Sequence, residues 1–230
     1  MATSDFIDWA ERQWGQAQLG DKRRNRRAVQ LGAALAAQSD ASLPTQTGNG
    51  AELKAAYRLL AESEVTHEAL TVPHRQNTYL QARHREGVVL FIQDTTELDY
   101  SSHKRTTDLG SIGDGKGRGF FVHSCLAVTP NKPTPELLTP ELLGLAAQTV
   151  WTRDATTPRG KEIRTERAER RTESDIWAET VEKIGVPPVA HVGHCPQNTL
   201  WVSVGDRGSD IFSYMQRVSA LGWHCLVRIC

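Results

Sequence analysis

VVLFIQDTTELDY, residues 88–100, carries five apolar residues, Val88 to Ile92, almost directly into a carboxylate at Asp94. A short β-branched and aromatic run of this kind predicts a buried strand over 88–93. A lone carboxylate is costly to bury, so an acid at the end of such a strand needs a metal, a base or water. A second stretch, TLWVSVGDRGSD, repeats the theme, with a strand that ends at Asp206. If the two strands are neighbours, both acids emerge at one sheet edge, where two like charges repel and raise one pKa. A hard divalent cation, Mg²⁺ or Mn²⁺, removes that conflict and takes carboxylate, water and phosphate oxygens as ligands. The competing reading is that the acids cap the turns or helices after them, with Asp206 as N-cap of the next helix. Glu97 and Asp99 alternate with Asp94 along the chain and face away from it if the strand continues.

Outward from this strand the pattern divides in two. Before Gly87 the chain reads as helical. Ser4 can cap a helix carrying Phe6, Trp9 and Ala10, and Asp21 can cap a second one through KRRNRRAVQLGAALAAQ. Residues 39–50, SDASLPTQTGNG, read as a loop, AELKAAYRLLAE as a third helix, and 66–85 as a fourth helical region that Pro73 should break or delay. After Gly87 come a glycine-rich loop over 109–119, a strand in FFVHSCLAVTP, a turn over 131–140, and a strand from Leu142. Next are a helix around Ile176, Trp177, Val181 and Ile184, the strand before Asp206, a helical stretch over 207–221, and a last strand in WHCLVRIC. Consecutive strands succeeded by βαβ-type returns predict an α/β fold: a mixed sheet with helices on its faces behind an all-α N-terminal domain, divided as 1–86 and 87–230. Trp177 and Trp201 are expected in the core.

Formal net charge is zero, so overall charge selects no partner, but KRRNRR at 22–27 is basic at five of six positions. Such a run can meet nucleic-acid phosphates or form a solvated helix face. No leader pattern and no apolar run of about 20 residues is visible, so no membrane partner is expected. The four cysteines lack paired spacing, which points to free thiols in a reducing cytoplasm. HVGHC at 191–195 lacks a second half with zinc-ligand spacing.

LGDKRRNRR, AAYRLL at 55–60, DTTELDYSSH at 94–103, LGSIGDGKGRGFFVHS at 109–124, VGDRGSDIF at 204–212 and LVR at 226–228 occur in this order over nearly the whole chain. Together they resemble the DDE transposases of bacterial insertion sequences, of the Tn-five or IS-four type, whose catalytic core is RNase H-like. The resemblance implies that Asp94 and Asp206 are catalytic metal ligands for Mg²⁺ or Mn²⁺, in metal-assisted hydrolysis and strand transfer at transposon ends. It implies a third carboxylate, a Glu within a Y-R-E-K-type motif. That motif does not occur in these 230 residues, so an incomplete core, inactive alone, is expected.

The resemblance also implies that the N-terminal helical domain grips double-stranded DNA at transposon ends. Arg23, Arg24 and Arg27 fall on its basic helix and Arg58 on its A-Y-R arginine. Arg27 and Arg58 are the foremost candidates, since arginine's planar fork suits phosphates and guanine edges. Tyr57 is expected to pack into the core. Ala37-Gln38 stands where a Lys-Tyr pair occurs in the family's best-known member, which implies different end recognition. Lys116 and Arg118 lie in a loop whose glycines let backbone approach a phosphate, or which is a plain hairpin. Arg228 falls on an arginine near the DNA end. His123 matches too, but inside a strand it can simply pack or hydrogen-bond. Three functions are open to such a chain: a transposase located in the bacterial cytoplasm with the nucleoid; a non-catalytic protein that occupies element ends and competes with full-length transposase; and an RNase H-type nuclease, against which the basic helices argue.

Overall fold

A computed structural model describes residues 4–130, 140–153, 172–189 and 199–229. HVGHC and most of the expected 131–140 turn lie outside the described residues. The chain divides into two compact units, Met1–Asn77 and Thr78–Cys230.

The first unit is helical: α1 Ser4–Trp14, α2 Lys22–Ala37, α3 Leu43–Thr47, α4 Gly50–Leu60, and the first turns of α5, His67–Arg83. Asp21 caps α2 as expected, its Oδ1 accepting from the Arg23 amide at 2.6 Å. Asn49 caps α4 through the amides of Ala51 and Glu52, both at 3.0 Å. One small core gathers Leu19, Ala28, Leu31, Ala56, Leu59 and Val65, with Trp14 and Leu70 packed against it. Trp14 also meets Trp9 edge-on at 5.4 Å and donates its indole N–H to the Leu70 carbonyl at 3.0 Å.

Two expectations about the helices fail in this unit. The 39–50 loop contains α3, a single helical stretch with Pro44 in its first turn and Gly48 closing it at φ 75°. Pro73 lies inside α5 without breaking it. Proline deletes one ladder hydrogen bond, but tertiary packing supplies most helical stability. Here Ala69 and Leu70 pack before the proline, and Tyr79 and Ala82 pack after it.

The second unit is the expected α/β fold. Its strands are β1 Gly87–Asp99, β2 Gly110–Ile112, β3 Gly117–Thr129, β4 Glu141–Trp151, β5 Thr199–Gly205 and β6 His224–Val227. Helices α6, Ile176–Ile184, and α7, Phe212–Ala220, come after β4 and β5. The sheet order is β2-β3-β1-β5-β6, with β4 also on β3. β1 is antiparallel to β3 and parallel to β5, and β5 is parallel to β6. β1 is longer than the apolar run suggests, because its polar second half stays paired with β3 out to Asp99↔Gly119. The glycine-rich loop is in fact the β2–β3 hairpin. Gly119 is required there, since a Cβ would overlap the Leu98 carbonyl across the ladder.

Period-two alternation puts Val89, Phe91, Cys125, Ala127 and Trp201 on one face, packed under α6, α7 and the end of α5. Trp177 and Trp201 are buried, as expected. The opposite face leaves Ile92, Leu126, Leu142, Leu200 and Leu226 exposed.

Candidate functional site

The β1–β5 ladder pairs Gly87 with Thr199 and continues in step to Ile92 with Val204. Carried two residues further, the same register sets Asp94 level with Asp206. The β5–β6 ladder ends at Gly205↔Val227, so Arg228 comes level with Asp206, and its amide donates to the Gly205 carbonyl at 3.2 Å. Adjacent strands lie about 4.8 Å apart. The extended registers therefore bring two acids and an arginine to one level, just past the last parallel pairs of β1, β5 and β6.

Asp94 is exposed, and its carboxylate has no hydrogen-bond partner among the described residues. Asp206 is exposed and does act as a cap: its Oδ1 accepts from the Gly208 amide at 2.7 Å and starts a 3-10 turn over Arg207–Ser209. That use leaves its second oxygen open. Capping and metal binding are thus compatible at this residue. The open donors are hard carboxylate oxygens in a solvent-accessible row, which fits Mg²⁺ or Mn²⁺ with water completing the sphere. No group of three Asp, Glu, His or Cys side chains able to hold a metal occurs among the described residues.

Beside the row is a recess of about 290 Å³ whose lining includes Asp94, Asp206, Glu97, Arg153 and Glu173. Although Glu97 alternates with Asp94, it lines the same recess. Neither further glutamate is free. Glu97 accepts from the Gly113 amide at 3.1 Å, and Arg153 holds Glu173 by two bonds of 2.6 and 3.0 Å. Arg153 also caps the Phe121 ring at 4.4 Å, and its proton affinity is raised first by the Glu173 bond.

Sequence reasoning missed a buried chain behind the row. The Thr95 hydroxyl meets His123 Nδ1 at 2.7 Å, and His123 Nε2 meets Gln93 Oε1 at 2.9 Å. Gln93 Nε2 donates to Ser203 Oγ at 2.7 Å, as does the Tyr214 hydroxyl at 2.8 Å. His123 is wholly buried against Trp177, and burial holds its pKa down to about 4. The available signal was alternation: Gln93 and Thr95 share the inward phase of Val89 and Phe91.

The candidate DNA contacts separate by partner. Arg24 is ion-paired with Glu62 and Glu64 and donates to the Leu19 carbonyl at 3.1 Å; Arg27 is ion-paired with Glu52. Asn25 holds the carbonyls of the α1–α2 loop. Arg23 and Arg26 are exposed, and their side chains have no acidic partner among the described residues. Sequence reasoning passed over Arg26, though the spacing 23, 26, 30 marks the outer face of α2. Arg58 is exposed with Lys54 and Tyr57 around a shallow recess of about 370 Å³. Tyr57 is therefore not in the core: it is 56% exposed, because Ala56 and Leu59 take the inward positions of α4. Lys116 sits at the β2–β3 tip beside Asp114 at 3.1 Å, and Arg118 donates to the Thr106 carbonyl at 3.3 Å.

The architecture defines a chain with a helical N-terminal unit followed by a mixed-sheet α/β unit in which Asp94 and Asp206 share a register just past the parallel ladder. Residues 7–65, within the helical unit, match the family described as Transposase DNA-binding. That similarity supports a transposase-related DNA-binding role for this chain. No helix among the described residues is long and apolar enough to cross a membrane.

Proposed function

We propose that this chain is a transposase-type protein of the Tn-five or IS-four kind that binds double-stranded element ends through its helical unit. Its α/β unit is read as an RNase H-like core in which Asp94 and Asp206 hold Mg²⁺ or Mn²⁺. The observation that carries this reading is the common register of the two aspartates on adjacent parallel strands, beyond the last laddered pair Ile92↔Val204. Bound there, the cation supplies Lewis-acid stabilisation of phosphodiester oxygens and an activated water. Arg228, in the same row, offers a fork for the phosphate. Arg23 and Arg58 are the uncommitted members of the α2 and α4 contact set, joined by Arg26, while Arg24 and Arg27 exchange a carboxylate for a phosphate on binding. On the second unit, Lys116 and Arg118 of the β2–β3 hairpin offer further cations to a phosphate.

A second reading, a non-catalytic binder that occupies ends and competes with full-length transposase, is favoured by one observation: no three-ligand cluster occurs among the described residues. One gel-based experiment separates them. A labelled duplex from the terminal repeat of the encoding element is incubated with the chain in Mg²⁺ or Mn²⁺ and run native and denaturing. Retention without nicking supports the binder. Boundary cleavage that disappears in Asp94→Ala supports the enzyme. No preference for the terminal repeat over random duplex removes the end-binding reading.

A further inference from the structure

The parallel ladder that joins β1 to β5 stops at Ile92↔Val204, two residues short of the acids. Beyond it β1 remains laddered only to β3, through Asp99↔Gly119. At the point where the ladder stops a side-chain bond braces the two strands: Gln93, the first residue of β1 beyond the ladder, donates from Nε2 to Oγ of Ser203, which is laddered with Phe91, at 2.7 Å. Gln93 adjoins Asp94, and Ser203 lies three residues before Asp206 on a strand that ends at Gly205. Gln93, His123 and Ser203 are each at most 2% exposed, so water cannot replace a lost partner.

With its amide nitrogen on Ser203, Gln93 presents its oxygen to His123, so His123 Nε2 carries the proton. The ring is then a neutral acceptor at Nδ1, and the Thr95 hydroxyl donates to it. Each member has its orientation set by the next, and the residues on both sides of Asp94 are held from within. A single hydrogen bond would leave the Gln93 amide free to rotate; the His123 contact on its other end prevents that.

We propose that Gln93, His123 and Ser203 are positioning residues for the Asp94–Asp206 pair, bracing β1 against β5 just where the backbone ladder stops and fixing the spacing of the two carboxylates. The inference rests on the proposed metal site. Groups that orient metal ligands from behind typically change metal affinity by about 10–100-fold when removed.

The test is Mn²⁺ titration of the 230-residue chain, with free Mn²⁺ counted by electron paramagnetic resonance and folding checked by circular dichroism. Gln93→Met keeps length and volume but loses both bonds; Ser203→Ala removes the acceptor without adding bulk and serves if Gln93→Met does not fold. Val218→Ala thins the same core away from the chain of bonds and controls for general destabilisation. The expected result is an affinity loss of about ten-fold or more in Gln93→Met, a loss of several-fold in Ser203→Ala, and less than two-fold change in Val218→Ala. Wild-type affinity in folded Gln93→Met or Ser203→Ala overturns the positioning role, as does an equal loss in Val218→Ala. Wild-type protein that binds no Mn²⁺, or binds it unchanged in Asp94→Ala, overturns the metal site itself and the positioning role with it.

Discussion

Gly32→Ala sets two effects of opposite sign against each other on the helix that carries the basic run. Gly32 lies inside α2, where alanine is favoured over glycine by about 1 kcal/mol. A Cβ at this position would overlap the Trp14 ring, reaching Cε3 at 2.6 Å and Cη2 at 2.9 Å. Carbon contacts settle at about 3.5–4.0 Å, and Cζ3 would be closer still, so the ring must retreat by about 1.5 Å or more. Trp14 cannot retreat freely, because its N–H is bonded to Leu70 and its ring to Trp9. Overpacking costs about 1–3 kcal/mol and the strained hydrogen bond about 1 kcal/mol more. The balance is a net loss of about 1–3 kcal/mol. For a unit of this size that lowers the melting temperature by roughly 5–20 °C. The assay is a thermal melt of the full chain monitored by tryptophan fluorescence and far-ultraviolet dichroism. Trp14→Phe in the same chain makes room for the methyl, so the double variant should lose less than the sum of the singles. A Gly32→Ala melting point equal to or above wild type would refute the close approach of α1 to α2.

On DNA, Arg23→Ala and Arg26→Ala should each reduce the salt slope of binding by about one while leaving stability within about 0.5 kcal/mol of wild type; Arg24→Ala should lower the melting point, and fluorescence anisotropy across a salt series with parallel melts distinguishes them. Gly205→Ala should weaken Mn²⁺ binding, since a Cβ there meets Ser209 Cβ at 2.7 Å and Trp177 at 3.0 Å and pushes the turn that holds Asp206; calorimetry giving wild-type affinity counts against that turn geometry. His123 should make the α/β unit acid-sensitive. Its folded pKa is depressed from 6.5 to about 4, so between those values the unfolded chain binds a proton that the folded chain does not. Stability from this group is complete above pH 6.5 and falls by up to about 3 kcal/mol as pH drops to about 4; urea melts at pH 7 and 4.5 should show that loss in wild type and its absence in His123→Gln.

Much of the local structure was legible in the order of residues alone. The cap at Asp21, the strands before Asp94 and Asp206 and the burial of Trp177 and Trp201 arise from side-chain chemistry acting over a few residues, or from a period of two or 3.6. Where local rules misled, packing had the larger energy: Pro73 stays inside α5 because apolar contacts on both sides outweigh one lost hydrogen bond, and Tyr57 turns outward because Ala56 and Leu59 occupy the inward face. The division of KRRNRR was not readable, because Glu52, Glu62 and Glu64, which take up Arg27 and Arg24, come from another part of the unit. The alignment at the strand ends was even less so. Strand register depends on which faces are buried across a long chain separation, and a slip of one residue would turn every side chain over. Two aspartates that each follow an apolar run, separated by 112 positions, are a pattern in the sequence; their standing level, with Gln93 bonded to Ser203 beside them, is a result of tertiary packing, since only the packed sheet brings 93 and 203 together.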